Sequence, residues 1–138
     1  MAKMSQRVKE IFDKQLTIVL ATATKDGRSN VVPVSTKKII DDETILIGDN
    51  FLGKTLKNIE SNPQAAVTFW DGLEGYQIKA KVAVETSGPT FEETVKWVQA
   101  LAKELNLPLK AKGAVVLKIT EIYSVINAKT LLLCVGVI

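Results

Sequence analysis

Residues 48–63 read GDNFLGKTLKNIESNP, and this stretch decides the fold because a strand, a loop and a helix meet in it. The four residues before it, TILI at 44–47, are apolar and mostly β-branched, which is typical of a buried strand. Apolar residues then return at helical spacing. The pattern therefore predicts a short helix that begins within residues 52–54 and ends before Pro63, which cannot continue a helix.

The start of this helix carries residues that are suited to hold an anion. Lys54 and Thr55 fall in its first turn, where backbone N–H groups lack partners and the helix dipole is positive. A phosphate can bind there, Thr55 can donate its hydroxyl, and Gly53 and Asn50 let the backbone approach closely. A surface helix with a solvated lysine fits the spacing equally well, since no phosphate-loop or dinucleotide glycine motif is present.

Length and composition limit the kinds of protein that the chain can be. With 138 residues, 46% of them apolar, it is expected to form a single domain over residues 1–138. A net charge of +3 with scattered lysines argues against a nucleic-acid partner, which needs a basic stripe. No run approaches the roughly 18 apolar residues of a membrane span, and the start has no signal core. We therefore expect a cytoplasmic protein with no membrane partner.

The cysteine and histidine counts exclude several kinds of site. The chain has no histidine and a single cysteine, Cys134, so one chain cannot build a disulfide framework, a zinc cluster or a histidine-based catalytic relay. Cys134 lies among apolar residues at 131–138 and is expected to be a buried, inert thiol. This apolar segment needs cover from the core or from a partner.

The first half of the chain reads as one helix followed by strands. Apolar residues within 4–12 recur at helical spacing, and residues 16–24, LTIVLATAT, form a predicted first strand. An Asp-Gly turn at 26–27 then indicates a hairpin. The second strand is predicted to span residues 29–40, and Pro33 within it favours an edge, a bulge or a place where the backbone faces a ligand.

The second half adds strands and one more helix. Further strands are predicted at residues 65–70, 76–86 and 113–126. A capping box at Thr90 predicts a helix that ends before Pro108. Six strands with short links indicate an α+β fold that is mainly β: an antiparallel barrel with helices outside. A doubly wound sheet is the less favoured alternative.

Three pieces of sequence, taken in order, resemble the FMN-binding split-barrel family, which includes pyridoxamine 5'-phosphate oxidases and small FMN-binding proteins. They are VVPVST at 31–36, GKTLKNIESNP at 53–63, and FW followed by GYQIKAKV within 69–82. The likeness covers about residues 16–125. It implies an antiparallel six-stranded split β-barrel with peripheral helices and FMN as the cofactor.

The resemblance also implies a role for residues near the helix start. Lys54 and Thr55 would hold the FMN phosphate, and Asp49 and Asn50 would line the ribityl chain. This chain departs from the family's basic pair, because Gly53 occupies one of the two positions and Lys54 the other.

The ring site and the partner follow from the same resemblance. Val32, Pro33, Val34 and Ser35 would lie along the isoalloxazine with backbone groups toward its polar edge. Gln77 and Trp70 would come from the neighbouring protomer, which makes a homodimer part of the site. Taken alone, each of the last two has a simpler interpretation: Trp70 as a core or interface aromatic, and Gln77 as a solvated side chain. Pro33, likewise, could mark no more than an edge strand.

The implied function is that of a small flavoprotein, either a flavin reductase-like oxidoreductase or an electron carrier with a small-molecule redox donor or acceptor. True pyridoxamine-phosphate oxidase activity is not expected, because those oxidases use a C-terminal arginine and histidine, and this chain ends in LLLCVGVI. Two alternatives stay open: binding of the deazaflavin F420, and a non-enzymatic ligand-binding or sensing dimer. The residues do not identify the electron donor, the acceptor or an organic substrate.

Overall fold

The computed structural model describes residues 2–50 and 52–127, which form a mostly antiparallel sheet with three helices. In chain order the elements are α1 Gln6–Lys14, β1 Ile18–Ala23, β2 Ser29–Val34, β3 Lys37–Asp41, β4 Thr44–Asp49, α2 Gly53–Ser61, β5 Gln64–Asp71, β6 Glu74–Glu85, α3 Pro89–Leu105 and β7 Gly113–Ile126. The predicted α+β class is confirmed, with seven strands in the described part rather than six.

The strands form one sheet in the order β2-β1-β5-β6-β7-β4-β3, and every pairing is antiparallel. The two edge strands, β2 and β3, are consecutive in the chain, so the sheet curls into a split barrel whose opening lies between them. The split-barrel architecture expected from the sequence is thus present. Among the strands that the structure describes, none pairs with the outer backbone edge of β2.

The predicted strand over residues 29–40 is wrong in one respect, because it is two strands. β2 ends at Val34 and β3 begins at Lys37, and the two strands pair with different neighbours. Thr36, in the connection, accepts a hydrogen bond from the Gly48 amide through its backbone carbonyl at 3.0 Å. The break therefore comes from pairing with β4, a partner that the local sequence does not reveal, and it supplies the additional strand.

The helix ends follow local capping rules, with one departure from expectation. α2 begins and ends where predicted, and the Asp-Gly turn has Gly27 at φ 91°, the left-handed region that glycine favours. Thr90 is not the N-cap of α3: Gly88 is, and Pro89 starts the helix. Proline at the first helical position has a suitable φ and needs no N–H partner, so the helix starts earlier than the capping box indicated.

The core lies between α1 and the inner face of the sheet. Phe12 of α1 and Phe69 of β5 are both buried and meet edge to face, with 5.3 Å between ring centroids. Such a pair adds about 0.5–1.5 kcal/mol beyond the burial of apolar area. The Lys37 ammonium donates to the Phe12 carbonyl at 2.9 Å at the end of α1, and burial lowers the pKa of this lysine.

β4 is buried along its whole length, as the TILI run predicted. It pairs with β3 on one side and β7 on the other, and α3 covers it at Gly48. None of the helices within residues 2–50 and 52–127 is long and apolar enough to cross a membrane. The expectations for Cys134 and the apolar segment 131–138 concern residues outside the described part of the chain.

Candidate functional site

A cavity of about 350 Å³ opens where the β1–β2 hairpin meets α2. Three cationic side chains line it, Arg28 from the hairpin and Lys54 and Lys57 from α2, and we call it the cation cavity. The remaining lining residues are polar or small: Thr24, Ser29, Asn30 and Asn58. None of the described lining residues is a carboxylate, so the cavity has the chemistry of an anion site.

The floor of the cation cavity is a network of buried polar side chains. Asn30 donates to the Thr55 hydroxyl oxygen at 3.0 Å, and Asn58 donates to the Thr22 hydroxyl oxygen at 3.1 Å. Thr22, Thr55 and Asn58 are all buried. These bonds connect α2 to β1 and β2. The backbone positions that carry the three cations are therefore fixed relative to one another before any ligand binds.

The charges around this cavity are not neutralised from within the protein. Among the residues that the structure describes, Arg28, Lys54 and Lys57 form no ion pair. The N-cap of α2 is Leu52, which offers no side-chain oxygen to the N–H groups of the first turn. Unpaired cations and uncapped N–H groups at one helix start favour an external anion such as a phosphate.

A second cavity, of about 220 Å³, lies at the opposite end of β2. We call it the Asn50 cavity; its walls are Pro33, Val34, Ser35, Gly48, Asn50 and Leu52, with Thr36 and Leu109 completing them. None of these described lining residues is charged. It therefore suits an uncharged, largely apolar group.

Asn50 is the polar centre of this second cavity. It is 8% exposed, and its Nδ2 donates to the Thr36 hydroxyl oxygen at 3.0 Å. Its Oδ1 has no hydrogen-bond partner, which makes it the one buried side-chain polar atom without a partner in the described part of the chain. Such an atom costs about 1–3 kcal/mol when it is left unsatisfied.

Gly48 allows the wall behind Asn50 to form. A Cβ at this position would lie 2.8 Å from the Thr36 Cγ2 and 3.1 Å from the Val98 Cγ2. Only glycine leaves room for Thr36 to pack against β4, and this packing holds the hydroxyl that binds the Asn50 amide.

The two cavities are joined by β2 and by the start of α2. Ser29 and Asn30 belong to the first cavity and Pro33 to Ser35 to the second. At about 3.3 Å per residue, the four residues from Asn30 to Val34 separate the cavities by about 13 Å. An extended ligand with an anionic end and an uncharged end can contact both.

Six of the residues that the sequence proposed lie in or beneath the two cavities. Lys54 lines the cation cavity, whereas Pro33, Val34, Ser35 and Asn50 line the Asn50 cavity. Thr55 is buried beneath the cation cavity and does not line it.

Val32 and Asp49 line neither cavity. Val32 is half-buried on β2 opposite Leu20, and Asp49 closes the loop before α2 by accepting from the Leu52 amide at 3.0 Å.

Trp70 and Gln77 lie apart from both cavities, on the outside of the barrel. Strand register places Gln77 beside Thr68 on β5 and Tyr123 on β7, and Trp70 follows Thr68 two residues later on the same face. We call this surface the outer sheet face. It exposes four large apolar or aromatic side chains: Val31 at 62%, Trp70 at 48%, Tyr123 at 44% and Val125 at 47%. Exposed apolar area of this kind is typical of a protein interface.

Sequence reasoning missed Arg28, Lys57 and the two asparagines of the cation cavity. Lys57 could have been found, because it lies three residues after Lys54 and so shares its helix face. Arg28 carried no such signal, since only the packing of the hairpin against α2 brings it to this cavity.

Comparison with known proteins identifies the family. The family model for pyridoxamine 5'-phosphate oxidase matches residues 4–126. The chain belongs to this family. An uncharacterised protein of Methanocaldococcus jannaschii is 38% identical over 125 residues, covering 88% of this chain and 80% of that protein. A pyridoxine/pyridoxamine 5'-phosphate oxidase of Rubrobacter xylanophilus is 38% identical over 77 residues, which are 55% of this chain and 33% of that enzyme. The match thus spans about a third of the enzyme's length.

Solved structures of several proteins share this fold. HupZ of Group A Streptococcus has a TM-score of 0.78 at 25% identity, covering 91% of this chain and 98% of HupZ. An FMN-binding protein from Syntrophomonas wolfei has a TM-score of 0.70 at 21% identity, with coverages of 83% and 80%.

Two further structures share the fold at lower identity. An F420 reductase gives a TM-score of 0.66 at 17% identity, with coverages of 87% and 98%. HutZ, the haem storage protein of Vibrio cholerae, has a TM-score of 0.61 at 14% identity, covering 91% of this chain and 97% of HutZ. Because these identities are below 25%, the likeness shows the fold alone and leaves the ligand to be argued from this chain's residues.

Proposed function

We propose that this chain binds FMN at a homodimer interface and serves as a flavin-dependent oxidoreductase, of the flavin reductase type, or as a small electron carrier. The single observation that carries the proposal is the cation cavity, where Arg28, Lys54 and Lys57 gather beside the first two turns of a helix without a side-chain cap and form no ion pair among the described residues. Membership of the pyridoxamine 5'-phosphate oxidase family and the likeness of the fold to that of an FMN-binding protein support the same ligand.

The two cavities fit the two ends of FMN. The phosphate would occupy the cation cavity, where Lys54 and Lys57 can donate charge-assisted hydrogen bonds. The ring end would reach the uncharged Asn50 cavity about 13 Å away, a separation of the order that a ribityl chain and a ring span. Bound FMN would supply the hydride or electron chemistry, and the chain would anchor, orient and partly desolvate it.

The homodimer is the second part of the proposal. The outer sheet face carries exposed apolar side chains. Its small alanine side chains at positions 21, 23 and 66 leave room for the backbone of another protomer to approach closely. Trp70 and Gln77 lie on this face and away from both cavities of their own chain. We infer that they face the ring bound by the partner.

F420 is a second candidate cofactor that fits most of the same features. It carries a phosphate and a flavin-like ring, and a neighbour with this fold is an F420 reductase. The third cation of the cavity is the observation that favours it, because the FMN phosphate dianion balances only two cations, whereas F420 adds carboxylates to its singly charged phosphodiester. Haem bound through an imidazole is not available to this chain, which has no histidine.

The test is to identify the small molecule released when the purified protein is denatured, by absorption spectrum and by mass. Release of FMN, with a yellow protein that absorbs near 450 nm, is the expected result. Release of F420 would move the proposal to the deazaflavin. A colourless protein that takes up neither cofactor on titration would contradict the proposal and favour a ligand-binding or sensing dimer.

A further inference from the structure

The unsatisfied oxygen of Asn50 calls for a donor that the protein does not supply. Buried side-chain polar atoms in folded proteins nearly always have a hydrogen-bond partner. Asn50 Oδ1 has none among the described residues, although its Nδ2 is held by the Thr36 hydroxyl at 3.0 Å. The amide is thus fixed by one end, the oxygen at its other end is buried without a partner among the described residues, and Asn50 lines the Asn50 cavity.

The other walls of this cavity restrict what the donor belongs to. Pro33, Val34, Leu52 and Leu109 are apolar, and the cavity has no charged side chain. A flat ring that is apolar on its faces and carries an N–H on its edge satisfies both features. A chain bearing several hydroxyl groups fits less well, because the only other side-chain hydroxyls among the described lining residues, those of Ser35 and Thr36, already bond to Thr17 and Asn50.

We propose that Asn50 Oδ1 accepts a hydrogen bond from the N3–H of the flavin ring, so that the ring enters the cavity with its pyrimidine edge first. This edge carries one donor between two carbonyl oxygens, whereas the opposite, dimethylbenzene edge carries none. The inference rests on the proposed function, and it replaces the ribityl contact that the family resemblance gave to Asn50.

The edge strand β2 complements this arrangement. Within residues 2–50 and 52–127 its outer backbone groups have no ladder partner on the open side of the barrel, so its outward N–H groups can donate to the two ring carbonyls. Pro33 has no N–H and contributes only its apolar ring. Asn50 is then the residue that fixes the orientation of the ring, and the same contact is open to a deazaflavin, which keeps N3–H.

The test compares FMN with 3-methyl-FMN, in which a methyl group replaces the N3 hydrogen. Both are titrated into the apoprotein, and flavin fluorescence reports binding. The unaltered protein should bind 3-methyl-FMN at least about tenfold more weakly than FMN. Asn50→Ala should bind FMN about tenfold more weakly than the unaltered protein and should bind the two flavins equally. Asn62→Ala is the matched control: Asn62 lines neither cavity, and this variant should keep the preference for FMN.

Three results would overturn the inference. Equal affinity of the unaltered protein for both flavins would remove the N3–H contact while leaving FMN binding intact. Equal weakening of both flavins by Asn50→Ala, with no preference in the unaltered protein, would assign Asn50 to the ribityl chain instead. Binding of neither flavin would remove the proposed function itself. The comparison on the unaltered protein decides the inference even if the variant does not fold.

Discussion

The cationic side chains of the two short helices α1 and α2 have opposite surroundings. α1 is capped by Ser5, whose hydroxyl accepts from the Val8 amide at 3.2 Å, and all three of its cations reach a carboxylate. The pairs are Arg7 with Glu74, Lys9 with Asp42 and Lys14 with Asp71. α2 has no side-chain cap, and Lys54 and Lys57 join Arg28 at a cavity without a carboxylate.

The difference indicates which of the two helix surfaces is built for a ligand. Cations that pair with carboxylates of neighbouring elements are neutralised inside the fold. Cations that gather at a positive helix end repel one another and the dipole, so they reduce stability unless an external anion balances them. Matched substitutions in the two helices distinguish these two roles by experiment.

The largest effect is expected from removing both lysines of α2. The double variant Lys54→Ala and Lys57→Ala should bind FMN at least about 100-fold more weakly, because two charge-assisted hydrogen bonds to the phosphate are lost. Titration calorimetry measures this. The matched control is Lys9→Ala with Lys14→Ala in α1, which removes the same charge and should leave FMN affinity unchanged. If both double variants lost FMN affinity equally, the effect of the α2 substitutions would come from net charge and not from contacts with the phosphate.

Lys54→Ala alone should have the next largest effect. Loss of one hydrogen bond to a charged group costs about 1.5–3 kcal/mol, or about 10- to 100-fold in the FMN dissociation constant. Riboflavin, which lacks the phosphate, should bind the variant and the unaltered protein equally well. An unchanged affinity for FMN would remove Lys54 from the site.

A smaller effect is expected from pH. The second pKa of a phosphate monoester is about 6, so lowering the pH from about 7.5 to about 5 turns the dianion into a monoanion. FMN affinity should fall by about three- to tenfold over this range, since each cation then faces half the charge. Because the chain has no histidine to titrate there, riboflavin affinity should stay constant. A parallel fall for riboflavin would place the titrating group in the protein.

The smallest effect is expected from breaking a pair on α1. Lys14→Ala removes an exposed ion pair with Asp71, in which the lysine side chain is 67% exposed. The melting temperature should fall by less than about 4 °C, and FMN affinity should not change. Thermal unfolding and one FMN titration check both statements. If Lys14→Ala lost FMN binding, the proposed difference between α1 and α2 would be wrong.

Local sequence was sufficient for much of the fold. The strand at 113–126 and the bounds of α2 were predicted as the structure has them. Their signals, which are alternation, helical spacing and Pro63, depend only on residues within or next to the element itself. The break between β2 and β3 was not predicted, since it depends on Thr36 pairing with Gly48 of another strand.

The candidate site could be predicted only in part, for the same reason. Lys54 carried a local signal as a lysine at a helix start, whereas Arg28 joins it only because the hairpin packs on α2. The unsatisfied oxygen of Asn50 is a property of the folded core, since a free asparagine is hydrated. The roles of Trp70 and Gln77 depend on a second protomer and stay predictions.

A crystal structure of the protein with FMN tests the central claim most directly. The account predicts the phosphate in the cation cavity, within hydrogen-bond distance of the Lys54 ammonium and at the first turn of α2. A structure in which FMN binds with its phosphate elsewhere, while water alone fills the space between Arg28, Lys54 and Lys57, would contradict it.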